Sequence, residues 1–398
     1  MRRPDFSLQH TAAAFARLNE PEFRTDGPLV SVLMATHNRK HCLPRALKSI
    51  LAQSYKNIEI CLARDGGEAV DDVVAKLSDP RIKLLSYEQN RGKAAALNSA
   101  FEASRGEYIA YLDDDDIWYE DHLERLMSAA RILNRDFVYS NGMEVMLESK
   151  TNPKELSRSL RYARQVNLKN LLEFNYITGI NVLHERSLFE KAGGFDENLK
   201  VLIDFDMWRR LACFADPLHV DFTTAEYYLH KEKGRHITDL AVNNPLEYRK
   251  QRLKILAKNI PLPDPELRKE LAQVRQRAHF DYAVFNCTKA LDNNDLQLAS
   301  RSLAQAGKYY TKLPTAQLMY AVCLLRLSNP QEALAVFKDC ITHDSDTASL
   351  LMACSVSMML KDKFANETLT ILEKRKNMLS AEQLKIFSDY KERYAGFI

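Results

Sequence analysis

The stretch Tyr108-Ile109-Ala110-Tyr111-Leu112-Asp113-Asp114-Asp115-Asp116-Ile117-Trp118 runs from an apolar, aromatic-rich segment straight into four consecutive carboxylates. Like charges this close repel one another, so a strand that delivers four of them to its carboxyl end calls for a cation. Hard divalent ions such as Mg²⁺ and Mn²⁺ prefer oxygen ligands and usually share them with a substrate's phosphates. Acidic runs are more often solvated turns. Here the run comes after a stretch that reads as a buried strand, and open α/β sheets bind ligands at the carboxyl ends of their strands.

Upstream of the run, strand and helix patterns alternate as an α/β domain requires. Strands are expected at Leu29 to Ala35, Ile58 to Ala63, Arg81 to Tyr87 and Tyr108 to Leu112. Helices are expected at Leu43 to Gln53, with Leu43, Ala46, Leu47, Ile50 and Leu51 on one face, at Val70 to Leu77, and in the alanine-rich segment Lys93 to Ser104. That order implies a mostly parallel sheet flanked by helices. Between Phe137 and Tyr228 the pattern is less regular.

Beyond Asn243 the texture changes. Pro245, Pro261, Pro263 and Pro265 punctuate a segment, and the chain after Pro265 has helical periodicity. Leu318-Met319 and Leu327 return as Leu351-Met352 and Leu360, while Leu334, Val336 and Phe337 return as Leu369, Ile371 and Leu372. An earlier copy runs through Ala283, Leu291, Ala299 and Leu303. A period of about 34 residues built from two helices resembles tetratricopeptide repeats; an ordinary bundle with helices of similar length fits as well. Either gives an all-α carboxy-terminal domain.

A chain of 398 residues is long enough for two or three domains. Its 56 basic and 53 acidic residues leave a net charge of +3, which gives no electrostatic case for nucleic acid. The seven cysteines are scattered and never form a C-x-x-C pair, so they read as buried thiols of a reducing compartment, not as disulfides or zinc ligands. No secretory signal and no spanning apolar segment is visible, and a cytoplasmic protein is expected, with peripheral docking on the inner face of a membrane left open.

Several further motifs lie just past strand ends or at helix starts: Ala35-Thr36-His37-Asn38-Arg39, Arg64-Asp65-Gly66-Gly67, and Asn90-Arg91-Gly92-Lys93 leading to Asn98. In a doubly wound sheet they would converge on one crevice. Together with Val30-Ser31-Val32-Leu33-Met34, Gly106-Glu107-Tyr108 to Trp118, Gly193-Gly194-Phe195-Asp196 and Asp204-Phe205-Asp206-Met207-Trp208-Arg209-Arg210-Leu211, they resemble the family 2 glycosyltransferases, inverting enzymes with the GT-A nucleotide-sugar fold. The resemblance covers Pro28 to Thr238.

That resemblance implies a GT-A catalytic domain over residues 28–243, with a nucleotide-binding half at 28–117 and an acceptor half at 118–243. An N-terminal extension at 1–27, a Pro-containing linker at 244–266 and an all-α domain at 267–398 complete the chain. It further implies donor contacts from Thr36, Asn38, Asp65, Arg91, Lys93, Asp113 and Asp114, with Asp65 accepting from the imide of a uracil-like base. A carboxylate suits that task because it accepts from an N–H donor. The family usually has two adjacent acids at this turn, whereas the first here is Arg64. The D-x-D motif can be framed as Asp113 to Asp115 or Asp114 to Asp116. The first frame is preferred, with Asp113 and Asp114 near the ribose, Asp115 holding Mn or Mg, and Asp116 fixing the loop before Trp118. Asp204 takes the family's base position, with Asp206 as fallback and a helix cap as the competing role. His230 matches a histidine that approaches the metal or diphosphate; Lys231, Lys233, Arg235 and His236 come directly after it.

The expected activity is transfer of a sugar from a nucleotide diphosphate, first of all a UDP-sugar, to a hydroxyl of a saccharide or glycolipid, in surface polysaccharide synthesis. Two alternatives stand beside it. One is a scaffold that recruits a protein partner through the helical tail while the first domain is inactive. The other is a nucleotidyltransferase, whose glycine-rich signature Met34-Ala35-Thr36-His37-Asn38 lacks.

Overall fold

The computed structural model describes residues 27–149, 154–161, 164–231, 244–311, 314–341 and 345–394. The expected N-terminal extension therefore lies outside the described residues, save Gly27. The chain divides into two compact units, one ending at Leu271 and the other beginning at Ala272.

The first unit opens with β1 (Val30–Thr36), α1 (Leu43–Leu51), β2 (Ile58–Asp65), α2 (Asp71–Leu77), β3 (Ile82–Tyr87), α3 (Lys93–Ala103) and β4 (Tyr108–Tyr111). Each sits within a residue or two of its expected place. Val30, Val32, Leu33 and Met34 of β1 are wholly buried, as are Ile60, Cys61 and Leu62 of β2. Such continuous apolar runs are what a parallel sheet covered on both faces demands. β3 is the poorer strand because it is the edge, with Lys83 exposed along it. Helix α3 buries Ala94, Ala95, Ala96 and Ala100, small residues that let its backbone approach the sheet closely.

Then come β5 (Ile117–Trp118), α4 (His122–Ile132), β6 (Phe137–Leu147), β7 (Glu155–Arg161), α5 (Leu168–Glu173), β8 (Val182–Glu185), α6 (Arg186–Ala192), α7 (Ile203–Leu211), β9 (Leu218–His230) and α8 (Pro245–Ala257). Among the described residues the strands form one sheet in the order β3-β2-β1-β4-β8-β6-β9-β5, with β7 paired to β6. The sheet is parallel from β3 to β4, as expected. Beyond β4 it is mixed: β8 is antiparallel to β4 and to β6, β9 parallel to β6, and β5 antiparallel to β9. The region expected to be irregular thus extends the same sheet. Residues 244–266, expected as a linker, hold α8, whose Ile255 and Leu256 are fully buried.

Strand order also locates the crevice. From β1 the chain steps outward to β2 and β3, then returns to place β4 on the other side of β1. This reversal is the topological switch point at which open sheets bind ligands, and the aspartate run leaves β4 there.

The second unit contains the rest of α9 (Pro265–Asp292), then α10 (Leu296–Lys308), α11 (Pro314–Arg326), α12 (Pro330–Cys340), α13 (Thr347–Met359), α14 (Phe364–Lys374) and α15 (Ala381–Tyr394). A two-helix unit recurs. Asn294, Ser328 and Lys361, 34 and 33 residues apart, each take a left-handed conformation between paired helices. At each turn the next residue's N–H closes a 2.8 Å bond back to Ala290, Leu324 or Ser357, the capping pattern that satisfies a helix's last carbonyls. Ala283, Leu291, Ala299 and Leu303 lie with Leu334, Val336 and Phe337 in one apolar core. All seven cysteines are free thiols; Cys42 and Cys213 are half-buried and the other five buried.

Candidate active site

The crevice is built from the carboxyl ends of β1, β2 and β4. Asp113 is a third exposed, while Asp114, Asp115 and Asp116 are buried. Each carboxylate has its own partner. Lys93, first residue of α3, grips Asp113 through Nζ at 2.6 and 2.8 Å. Thr36 Oγ1, at the end of β1, donates to Asp114 Oδ2 at 2.6 Å. Arg39 Nη1 donates to Asp114 Oδ1 at 3.2 Å and to Asp115 Oδ2 at 2.6 Å. Asp116 Oδ1 accepts the backbone N–H of Tyr228 on β9 at 2.9 Å. Burial raises Asp114 to about 6 against the pull of Arg39, with the Asp115 charge adding to the rise. Asp116 is driven well above the usual carboxylate range by burial and by the charges of Asp115 and Asp113.

One oxygen from each of Asp113, Asp115 and Asp116 lies within 4.8 Å of the others. That spacing suits a cation with metal–oxygen distances of about 2.0–2.6 Å. Asp116 Oδ2 is enclosed and has no hydrogen-bond partner among the described residues, a cost that a cation would remove. An all-oxygen set of this kind fits Mg²⁺ or Mn²⁺. The triad joins Asp115 to Asp113, expected near the ribose, and to Asp116, expected only to fix the loop. His230 lies outside it, at the end of β9 with its backbone in register with Leu147. Lys231 is exposed, while Lys233, Arg235 and His236 fall outside the described residues.

Asp65, at the end of β2, is buried, and both its oxygens take backbone amides: Arg91 N–H at 2.7 Å and Gly92 N–H at 2.8 Å. It therefore ties β2 to the loop that starts α3 and aims Lys93 at Asp113. Each oxygen keeps a lone pair for a further donor. The Arg91 side chain points away to Glu197 at 3.9 Å and lies 5.3 Å from the Tyr87 ring. His37 Nδ1 stands 2.7 Å from the Asp65 carbonyl and so must carry the proton, leaving Nε2 to accept from Asn38 Nδ2 at 3.0 Å. Asn38 Oδ1 accepts Glu68 N–H at 3.0 Å. Gly67, at φ +73°, lies in the left-handed region that favours glycine, and a Cβ there, 2.2 Å from Asn38 Oδ1, would displace that amide. Arg64, in the place of an acid, donates to the Gly67 carbonyl at 3.1 Å.

Asp204 is the second residue of α7. The cap position belongs to Leu202, in a left-handed conformation with no side-chain bond. Asp204 instead accepts Phe205 N–H through Oδ1 and Asn175 Nδ2 through Oδ2, both at 2.8 Å. Burial raises its pKa, opposed by the Phe205 N–H, the Lys93 charge and Asn175. Lys93 is pulled down by burial but raised overall by Asp113, with Asp204 and Asp115 contributing. The field of one lysine therefore links Asp113, Asp115 and Asp204. Asp206 is committed elsewhere, holding Arg210 at 2.7 Å and Lys258 at 2.8 Å.

Sequence reasoning assigned no role to Arg39, His37 or Asn175. Arg39 and His37 stood in the motif Ala35 to Arg39 past β1, which pointed to the crevice but to no partner for either.

The family model for glycosyl transferase family 2 matches residues 31–193; Asp204 lies beyond that span. A glycosyltransferase of Rickettsia typhi is 32% identical over 188 residues, covering 46% of this chain and 58% of its own. This chain thus spans little more than half the length of that relative. An Escherichia coli protein named for glycosyl transfer in colanic acid biosynthesis, WcaA, is 30% identical over 204 residues, covering 50% of this chain and 72% of its own. Among solved structures, TarS of S. aureus superposes with a TM-score of 0.52 at 13% identity, over 76% of this chain and 53% of that one, a likeness of fold.

Proposed function

This chain belongs to glycosyl transferase family 2, and from that premise we propose that it moves a sugar from a nucleotide diphosphate donor, a UDP-sugar first of all, to a hydroxyl of a saccharide or glycolipid. Synthesis of a surface polysaccharide is the setting, in keeping with the name of the colanic acid relative. The observation that carries the reading is the convergence, at the β1/β4 switch point, of the aspartate run with Lys93 and a half-buried Asp204 whose proton affinity is raised.

Asp204 takes the proton of the acceptor hydroxyl. Its raised pKa suits a general base, which works best with a pKa near the operating pH. Asn175 and the Phe205 N–H hold the carboxylate in one orientation. Thr36, Asn38 and Asp65 line the nucleoside side, and Lys93 stands ready for the donor's phosphates. Asp113, Asp115 and Asp116 would hold a divalent cation, which when bound offsets the charge that builds on the departing diphosphate. Displacement by the activated hydroxyl on the face opposite the leaving group inverts the anomeric configuration.

The test is diphosphate release from a panel of nucleotide sugars with Mn²⁺, comparing the wild type with Asp115→Ala and Asp204→Asn. Both variants are expected to lose at least a hundredfold in kcat, in line with the ~10²–10⁴ that general acid–base catalysis contributes. Equal turnover by all three proteins would sink the site assignment. No turnover and no binding with any donor would favour the scaffold alternative.

A further inference from the structure

Arg39 lies three residues past the end of β1 and reaches back to the aspartate run. Its Nη1 donates to Asp115 Oδ2 at 2.6 Å and to Asp114 Oδ1 at 3.2 Å, with the side chain less than a quarter exposed. A guanidinium keeps its charge in proteins. A fixed positive charge thus sits on a carboxylate of the Asp113, Asp115, Asp116 triad. A divalent ion on the triad and a guanidinium on Asp115 would be like charges sharing one acid, and they repel. Asp116 Oδ2, buried and with no hydrogen-bond partner among the described residues, is the oxygen of the triad that a cation would take.

We propose that Arg39 is a resident counter-ion that keeps the aspartate run closed to divalent metal until a donor diphosphate draws the guanidinium away. The inference rests on the reading of Asp113, Asp115 and Asp116 as the metal-holding set. A diphosphate offers the oxygens that best match the guanidinium fork. Once bound, it takes Arg39 from Asp115, frees that carboxylate and gains a cationic contact of its own. Metal and diphosphate then bind with positive coupling, which is reciprocal by linkage. Arg45 is placed to hold the loop while Arg39 moves, with Nη2 on the Asp115 carbonyl at 2.6 Å and its guanidinium 4.1 Å from the Tyr228 ring centroid. The consequence is that free metal does not load the site, and metal arrives together with donor.

The experiment is Mn²⁺ binding, read from the electron paramagnetic resonance of the free ion, with and without UDP or GDP. Wild type is compared with Arg39→Met, Arg39→Gln, Arg39→Lys and Asp115→Asn, each checked for fold by circular dichroism. Arg39→Met and Arg39→Gln are expected to bind Mn²⁺ alone at least tenfold more tightly than wild type and to lose most of the gain that nucleotide confers. Arg39→Lys, which keeps the charge, should stay close to wild type, and Asp115→Asn should bind weakly in all conditions. Unchanged Mn²⁺ affinity in both neutral variants overturns the inference and leaves the metal site standing. Weaker binding in them overturns it too, making Arg39 an orienting partner of Asp115. No Mn²⁺ binding by any protein, with or without nucleotide, removes the metal site and the inference together.

Discussion

Asp204 joins two demands that oppose each other: burial favours its neutral form, and the Phe205 N–H, Lys93 and Asn175 favour the charged one. Burial wins, so the carboxylate protonates at a higher pH than an ordinary aspartate. As a base it must be ionised, and activity is therefore expected to fall as pH drops through this raised pKa. Asn175 bonds the charged form, so Asn175→Ala should raise the pKa further and move the acidic limb of the kcat profile to higher pH. A limb that stays in place would separate Asn175 from the base. The aspartate run was legible as chemistry because four acids in a row are anomalous by themselves, whereas Asp65 and Asp204 were legible only through the family resemblance. Arg39 and Asn175 were not, since their meaning lies in contacts across 76 and 29 residues of chain. The role of Asp65 was also incomplete in sequence, because backbone amides as partners leave no trace there.

At the scale of elements, α7 is held to α8 by a polar seam. Arg209 Nη1 donates to the Ile255 carbonyl at 3.1 Å, and Lys258 bridges Asp206 at 2.8 Å and Asp196 at 2.6 Å. Asp206 is almost wholly enclosed, so Asp206→Asn takes the countercharge from Arg210 and leaves Lys258 with Asp196 alone. Breaking a buried pair costs up to about 3–5 kcal/mol, and the denaturation midpoint of the first unit, followed by tryptophan fluorescence from Trp118 and Trp208, should fall accordingly. An unchanged midpoint would mean the seam is solvated and structurally idle. The strands β6 and β9 escaped sequence reading for a definite reason. Opposite Ser140-Asn141-Gly142 of β6, β9 carries extra residues between Val220 and Ala225 and shifts register there, with Asn141 held by Asp221 at 2.8 Å. Bulges break the period-two pattern on which strand recognition depends.

Across the whole molecule, two units with separate cores carry separate expectations. Phe337 is fully buried in the core of the helical unit, and Phe337→Ala should cost that unit about 3–5 kcal/mol. Loss of helical ellipticity at lower urea is the measurement; no shift would show that the repeat turns, not the core, set its stability. Among the described residues no helix is long and apolar enough to cross a membrane. Sequence alone determined the parallel half of the sheet, the helical nature of the tail and the place of the acids, because apolar periodicity, alanine content and charge are local properties of a chain. Only tertiary structure decided that the sheet becomes mixed beyond β4, that Asp113, Asp115 and Asp116 share one oxygen cluster, and that Arg39 already lies on it. Those outcomes depend on which distant segments meet, a choice made by the packing of the whole sheet and not by any stretch within it.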